Sequence, residues 1–317
     1  MQSRLILMLS VIIGGLAIGY AARKLHLLPE SVSPRITRAA MMYVQPPLLV
    51  VLIWGLEAPD WRVALLPVIA AANILLMWPV AAAGGRVLGL RRGQAGSFTL
   101  SCMYSNMGLT YGAFLCYILL GEQGAALGMI WCISFTPMLY TLGFVVARCY
   151  THDEPRGARD TILHIFREPA SRNPLIGLAL GALLYATGAH RPLIAGDIVD
   201  AVVPASTALY LFAIGLSLRL TSVVTYFREC VAVGAAKILV MPLLGLGLAW
   251  LAGYWAMEDR ALLQVVFIQS TTPASIMGLI LAQLFDLDGQ LANAAWLTTN
   301  IGAVAVAPVV LQIAAGL

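Results

Sequence analysis

Charge is what this sequence has least of. Only 11% of its 317 residues are Asp, Glu, Lys or Arg, while 60% are hydrophobic and the mean hydropathy is +0.87. A soluble domain carries about 25% charged residues, so this composition describes an integral membrane protein. The five cysteines (Cys102, Cys116, Cys132, Cys149 and Cys230) form no C-x-x-C pair. That removes the common thiol-redox and zinc spacings and leaves free thiols serving as small apolar residues. There is no H-E-x-x-H. All 15 carboxylates and all 4 histidines fall in connections or at the ends of apolar runs. An intramembrane protease or serine hydrolase needs an acid, base or metal ligand inside the membrane, and a carboxylate proton relay needs the same. The expectation is therefore no enzyme and no bound metal or organic cofactor, with a sodium ion or a proton open as coupling ion. The net charge of +4 is no nucleic-acid footprint, because the cations lie between apolar runs and not along one face.

What is abundant is apolar length. A bilayer core of about 30 Å needs roughly 20 apolar residues per helix. Ten runs qualify: 5–22, 36–55, 63–85, 95–120, 124–147, 173–188, 198–218, 230–251, 261–284 and 291–315. The first is followed at once by Arg23 and Lys24 and then by further runs, so it reads as a retained span and not a signal peptide. The polar connection 149–172 divides the chain into 1–148 and 173–317, each with five spans.

The two groups resemble each other. Gly15-Leu-Ala-Ile-Gly19 recurs as Gly177-Leu-Ala-Leu-Gly181 at an offset of 162. Ala71-Ala-Asn-Ile-Leu-Leu-Met77 recurs as Ala235-Ala-Lys-Ile-Leu-Val-Met241 at 164. Ser105, Gly124 and Trp131 recur as Ser270, Gly289 and Trp296 at 165. An odd number of crossings per repeat makes the second enter from the opposite side, inverted about an axis in the membrane plane. With the N-terminus outside, 14 cations fall in inside connections and 4 (Arg4, Arg62, Arg191 and Arg260) outside. The positive-inside rule then places both termini outside, periplasmic if the membrane is the inner (plasma) membrane.

Two spans are interrupted at matching places. The fourth holds Ser105-Asn106-Met107-Gly108, and the ninth holds Ser270-Thr271-Thr272-Pro273. Gly108 suits a non-helical backbone, and Pro273 removes an N–H and clashes with the preceding turn. Lipid offers no partner to freed backbone groups, so an unwound stretch survives only inside protein or beside a cavity. Paired interruptions in inverted halves mark a transporter's binding site. The expected substrate-binding set is Asn106, Ser105, Gly108, Thr110, Thr271, Thr272, Pro273 and Ser275. Asn73 and Lys237 join it as polar residues at equivalent positions of spans 3 and 8. Lys237 lies about 10 Å inside its span at 1.5 Å per residue. It either snorkels to the inner surface or faces a polar cavity, as counter-charge to an anion or in place of a coupling cation. Thr298, Thr299 and Asn300 in span 10, and Ser134 and Thr136 in span 5, are candidates for an ion or a supporting role, with interhelical hydrogen bonding as the alternative.

In this order, Gly19-Tyr20, Pro46-Pro47-Leu48-Leu49, Asn173-Pro174-Leu175-Ile176, the stretch Pro204 to Leu218, Lys237 to Pro242, and Thr272-Pro273-Ala274 with Thr298-Thr299-Asn300 resemble the auxin efflux carrier family of permeases along the whole chain. That family belongs with the bile-acid sodium symporters in one fold group. The resemblance implies ten all-α transmembrane helices in two inverted five-helix repeats, with helices 4 and 9 broken and crossing. It implies a site framed by Asn106 and Pro273. It also implies small organic anions as substrates: auxin, malonate, malate and similar acids. Where members commonly place a glycine five residues and a proline seven residues after the asparagine, this chain has Tyr111 and Ala113. The expected function is secondary transport of a small carboxylate by alternating access, as a multi-pass membrane protein. Alternatives are a sodium-coupled symporter of a larger amphipathic anion, or a channel or sensor on the same fold. The expected partners are the anion and the lipid bilayer, not nucleic acid; a homodimer is left open.

Overall fold

The computed structural model describes residues 2–57, 61–151, 169–217 and 223–317. Most of the expected 149–172 linker, with His152 and His164, lies outside them, as does Arg219. Among the described residues every regular element but one isolated bridge is helical. We number eleven helical segments: α1 Gln2–Lys24, α2 Glu30–Trp54, α3 Trp61–Val87, α4 Arg92–Met103, α5 Gly112–Cys149, α6 Pro169–Ala186, α7 Ile194–Leu216, α8 Phe227–Leu251, α9 Ala261–Ser270, α10 Ile276–Leu284 and α11 Gly289–Gly316. Seven of them (α1, α2, α3, α5, α7, α8 and α11) are long and apolar enough to cross a membrane. At 1.5 Å per residue, α4, α9 and α10 reach only about 18, 15 and 14 Å, and none spans a 30 Å core alone.

α5 is two arms. Gly121 has φ 66 and ψ −147, a conformation essentially confined to glycine. A Cβ on Gly124 would strike the Cys116 carbonyl, although eight residues of continuous helix span about 12 Å. The chain therefore doubles back at Gly121, in the gap expected between the fourth and fifth spans.

The chain forms two compact units, each drawn from both halves of the sequence. The first comprises the described parts of Met1–Val63, Gly108–Ile130 and Ile165–Leu218; the second, those of Ala64–Met107, Trp131–His164 and Arg219–Leu317.

In the first unit, glycine sets the packing. α1 lies on α7 and α6 on the second half of α2. A Cβ on Gly19 would strike the Phe212 carbonyl, and one on Gly215 the Leu16 carbonyl. A Cβ on Gly177 would strike the Pro46 carbonyl, and one on Gly181 would come within 2.9 Å of the Val50 carbonyl. Small residues that let helix backbones touch are the usual adhesive where lipid removes the hydrophobic drive. Near the Gly121 turn, Arg191 and Glu122 form a partly buried ion pair, and Tyr117 donates to Asp200 at 2.7 Å.

In the second unit α4 and α9 are the core. Every residue from Gly96 to Met103 is buried, as is all of α9 except Gln264. α3 packs on α4 and α8, α9 on α8, α10 on α4, and α11 on α4, α8, α9 and α10. α8 contains a π-helical turn at Ala236–Val240 just before Pro242, and α2 has the same arrangement at Ala40–Val44 before Pro46. A proline supplies no N–H to the preceding turn, and a widened turn accommodates the missing bond.

Candidate functional site

α4 ends at Met103 and α9 at Ser270, and the extended stretches that follow pair with each other. Ser105 and Ala274 form an antiparallel bridge. Asn106 N donates to the Pro273 carbonyl at 2.8 Å, and Ser275 N donates to the Tyr104 carbonyl at 2.9 Å. Each unwound strand thus satisfies the other's backbone, which answers the lipid's demand without water. The expected crossing residues Ser105, Asn106, Pro273 and Ser275 are brought together here.

The side chains complete the seam. Thr271 Oγ1 donates to the Phe267 carbonyl at 2.5 Å and Thr272 Oγ1 to the Gln269 carbonyl at 2.8 Å. The Thr272 hydroxyl thereby satisfies a carbonyl left over at the end of α9, whereas the Phe267 carbonyl also accepts Thr271 N at 3.1 Å. The Ser275 hydroxyl caps α10 by accepting from Met277 N at 3.2 Å. α11 clasps the seam from the side: Thr299 Oγ1 accepts from Ala274 N at 3.1 Å. Asn300 Nδ2 donates to the Ala274 carbonyl at 2.9 Å. Asn106 Nδ2 donates to Asn300 Oδ1 at 3.3 Å. The polar cluster of span 10 therefore does face the breaks.

Two tethers bind the breaks to neighbouring helices. In α8, Lys237 Nζ donates to Ser105 Oγ at 2.7 Å and to the Tyr104 carbonyl at 3.0 Å, with Met241 Sδ at 3.4 Å. Lys237 is 1% exposed, so it points inward and does not snorkel. In α3, Asn73 Nδ2 donates to Ser270 Oγ at 3.0 Å, and its Oδ1 is buried with no partner among the described residues. Asn73 and Ser270 are the residues that match Lys237 and Ser105 at offsets of 164 and 165.

A cavity of about 180 Å³ lies beside the seam. Lys237, Thr271, Pro273, Thr298 and Thr299 line it, with Val231, Ile238 and Val306 among its apolar lining. Gly108 and Thr110 belong to the first unit. Gly108 is not among the glycines with positive φ, and a Cβ there would meet open space. The conformational freedom expected of it is not used; the break is made by pairing. Ser134 and Thr136 lie on short turns packed against α3. The Ser134 hydroxyl is buried without a partner among the described residues.

Sequence reasoning missed Tyr104. Its carbonyl receives both Lys237 and Ser275, its hydroxyl donates to the Met138 carbonyl at 2.8 Å, and its ring meets Phe135 edge-on. Nothing in residue type announces a backbone acceptor; only its place just before Ser105 could have drawn notice. Ala274 was missed for the same reason, and Met241, which contributes its thioether, because it reads as an ordinary apolar residue of the span.

Long apolar helices, two of them broken and paired inside a bundle, fit a multi-pass membrane protein of the transporter class. The model of the family described as membrane transport protein, which is the auxin efflux carrier family, matches residues 156–311. No curated protein matches the chain.

Proposed function

We propose that this protein is a secondary transporter of small organic anions, carboxylates of the malonate, malate or auxin type, working by alternating access at the α4/α9 crossing. The observation that carries this reading is the antiparallel pairing of two unwound stretches, Ser105 against Ala274, deep within apolar helices. Such a seam offers an anion the Thr298 hydroxyl, which lines the cavity without a partner among the described residues, and the Lys237 charge one residue from Asn106. The cavity of about 180 Å³ is smaller than the roughly 300–1,000 Å³ of drug-sized sites, which supports a small acid over a larger amphipathic one. Binding is assigned to Ser105, Asn106, Thr271, Thr272, Pro273, Lys237 and Asn73, with Ser275 shaping the stretch. Thr298, Thr299 and Asn300 support it, with Ser134 and Thr136 further out.

The broken pairs α4 with the first arm of α5, and α9 with α10, each count as one crossing, which gives ten. Two inverted repeats, 1–148 and 173–317, joined by the 149–172 linker, account for two sets of matched contacts. α1 on α7 corresponds to α6 on α2 by glycine packing, and Lys237 on Ser105 corresponds to Asn73 on Ser270 by hydrogen bonding. The charge asymmetry of the connections supports termini outside the plasma membrane.

The test is Asn106→Leu, assayed in proteoliposomes after a thermal-shift screen of mono- and dicarboxylates has found a ligand. The variant is expected to insert and purify normally while substrate binding and counterflow are lost. Uptake equal to wild type would remove the crossing as the site. Flux that neither saturates nor shows counterflow would favour a channel.

A further inference from the structure

We propose that the Lys237 ammonium is a resident cation standing where a coupling metal ion would otherwise bind, so that the break after α4 operates without sodium. The proposal rests on the transporter reading and specifies its coupling.

Two of the three groups around Nζ are oxygens of the kind a small monovalent cation takes. It is held by a backbone carbonyl (Tyr104, 3.0 Å), a hydroxyl (Ser105, 2.7 Å) and a thioether (Met241, 3.4 Å). The carbonyl belongs to the C-cap of α4, where the helix dipole is negative. Exposed carbonyls at half-helix C-terminal ends are the groups that coordinate cations in broken transporter helices. Here their capacity is taken. A carbonyl has two lone pairs, and Tyr104 spends one on Lys237 and the other on Ser275 N. The Ser105 hydroxyl receives Nζ and itself points to Met241 Sδ at 3.5 Å.

The matched tether separates charge from hydrogen bonding. At the second break the same architecture is built with a neutral donor, Asn73 Nδ2 on Ser270 Oγ. A hydrogen bond alone therefore suffices to pin a break, and an amide provides it. At the first break the donor is instead an amine, whose charged form is costly to place at a helix centre. The charge has a purpose beyond tethering: it neutralises the α4 terminus and presents a fixed positive potential next to Asn106.

The test uses purified full-length protein and needs no substrate. Thermal unfolding is followed in sodium and in choline salts of equal ionic strength, for wild type, Lys237→Met and Lys237→Ala. Wild type is expected to unfold at the same temperature in both salts. Lys237→Met keeps the bulk and loses the charge; its melting temperature should fall by several degrees. Lys237→Ala should fall too, and methylammonium, which fits the vacated space, should restore at least half the loss, whereas choline should not. A saturable sodium stabilisation of wild type overturns the proposal, as does a Lys237→Met variant as stable as wild type. If Lys237→Ala does not accumulate, these two arms still decide. Failure here leaves carboxylate transport standing, because that reading is tested separately at Asn106.

Discussion

Removing one oxygen from α11 should cost more than removing a whole side-chain tether, and Thr299→Val measures the difference. The Thr299 hydroxyl accepts the Ala274 amide at 3.1 Å in the middle of the unwound stretch, and donates toward the Ala295 carbonyl at 2.8 Å or that of Trp296 at 3.1 Å. Valine has the same shape and lacks the acceptor. The two carbonyls lie inside α11 and keep their helical partners. The Ala274 amide belongs to no helix and sits in a buried residue, so it is left unsatisfied at about 1–3 kcal/mol. Asn73→Leu is the contrast. It removes the hydrogen bond to Ser270 but also the orphaned Oδ1. Interhelical hydrogen bonds in membranes average about 0.6 kcal/mol, so its net effect should stay within about 1 kcal/mol. The assay is denaturant or thermal unfolding in detergent. The order expected is Thr299→Ser close to wild type, Asn73→Leu slightly shifted and Thr299→Val clearly destabilised. A Thr299→Val protein as stable as wild type would mean that the amide finds another partner and that α11 does not clasp the seam.

Gly121→Ala should destabilise by about 1–3 kcal/mol through backbone strain alone, since open space surrounds the position; Gly108→Ala, also in open space and without positive φ, should leave the melting temperature unchanged. Gly19→Val and Gly181→Val drive a side chain into a facing backbone, and size-exclusion chromatography of detergent extracts should show loss of the monodisperse peak, while Gly14→Ala, with nothing within 4 Å, should retain it. Cys149 is exposed and Cys102, Cys116 and Cys230 are buried; an impermeant maleimide should label Cys149 in inverted vesicles and not in intact cells, and labelling from outside would reverse the proposed orientation.

The long apolar helices and both breaks were legible in the sequence because lipid leaves few choices. A helix must run about 20 apolar residues, and the polar stretches Ser105–Gly108 and Ser270–Pro273 interrupt two such runs at matching places. The turn at Gly121 was legible as a gap between spans, though the helix appears continuous until its dihedral angles are read. The partners were not legible. Lys237 was singled out as an intramembrane cation, but its acceptor is a main-chain oxygen, and every residue has one. Arg191 was counted among the outside cations and Glu122 among the carboxylates of the connections, with no hint that they meet. The division into two units also escaped, because it depends on which helices pack side by side and not on where polar connections interrupt the chain.

That mixed ancestry bears on how the chain is made. The ribosome delivers α1, α2 and α3 long before α6, α7 and α8, yet Gly19 is shaped for α7, Pro46 for α6 and Asn73 for α9. During synthesis the early helices must linger in the bilayer with their docking faces open, guarded only by lipid or by an insertion chaperone. Degradation of half-made chains should therefore concentrate in the interval before the last third emerges.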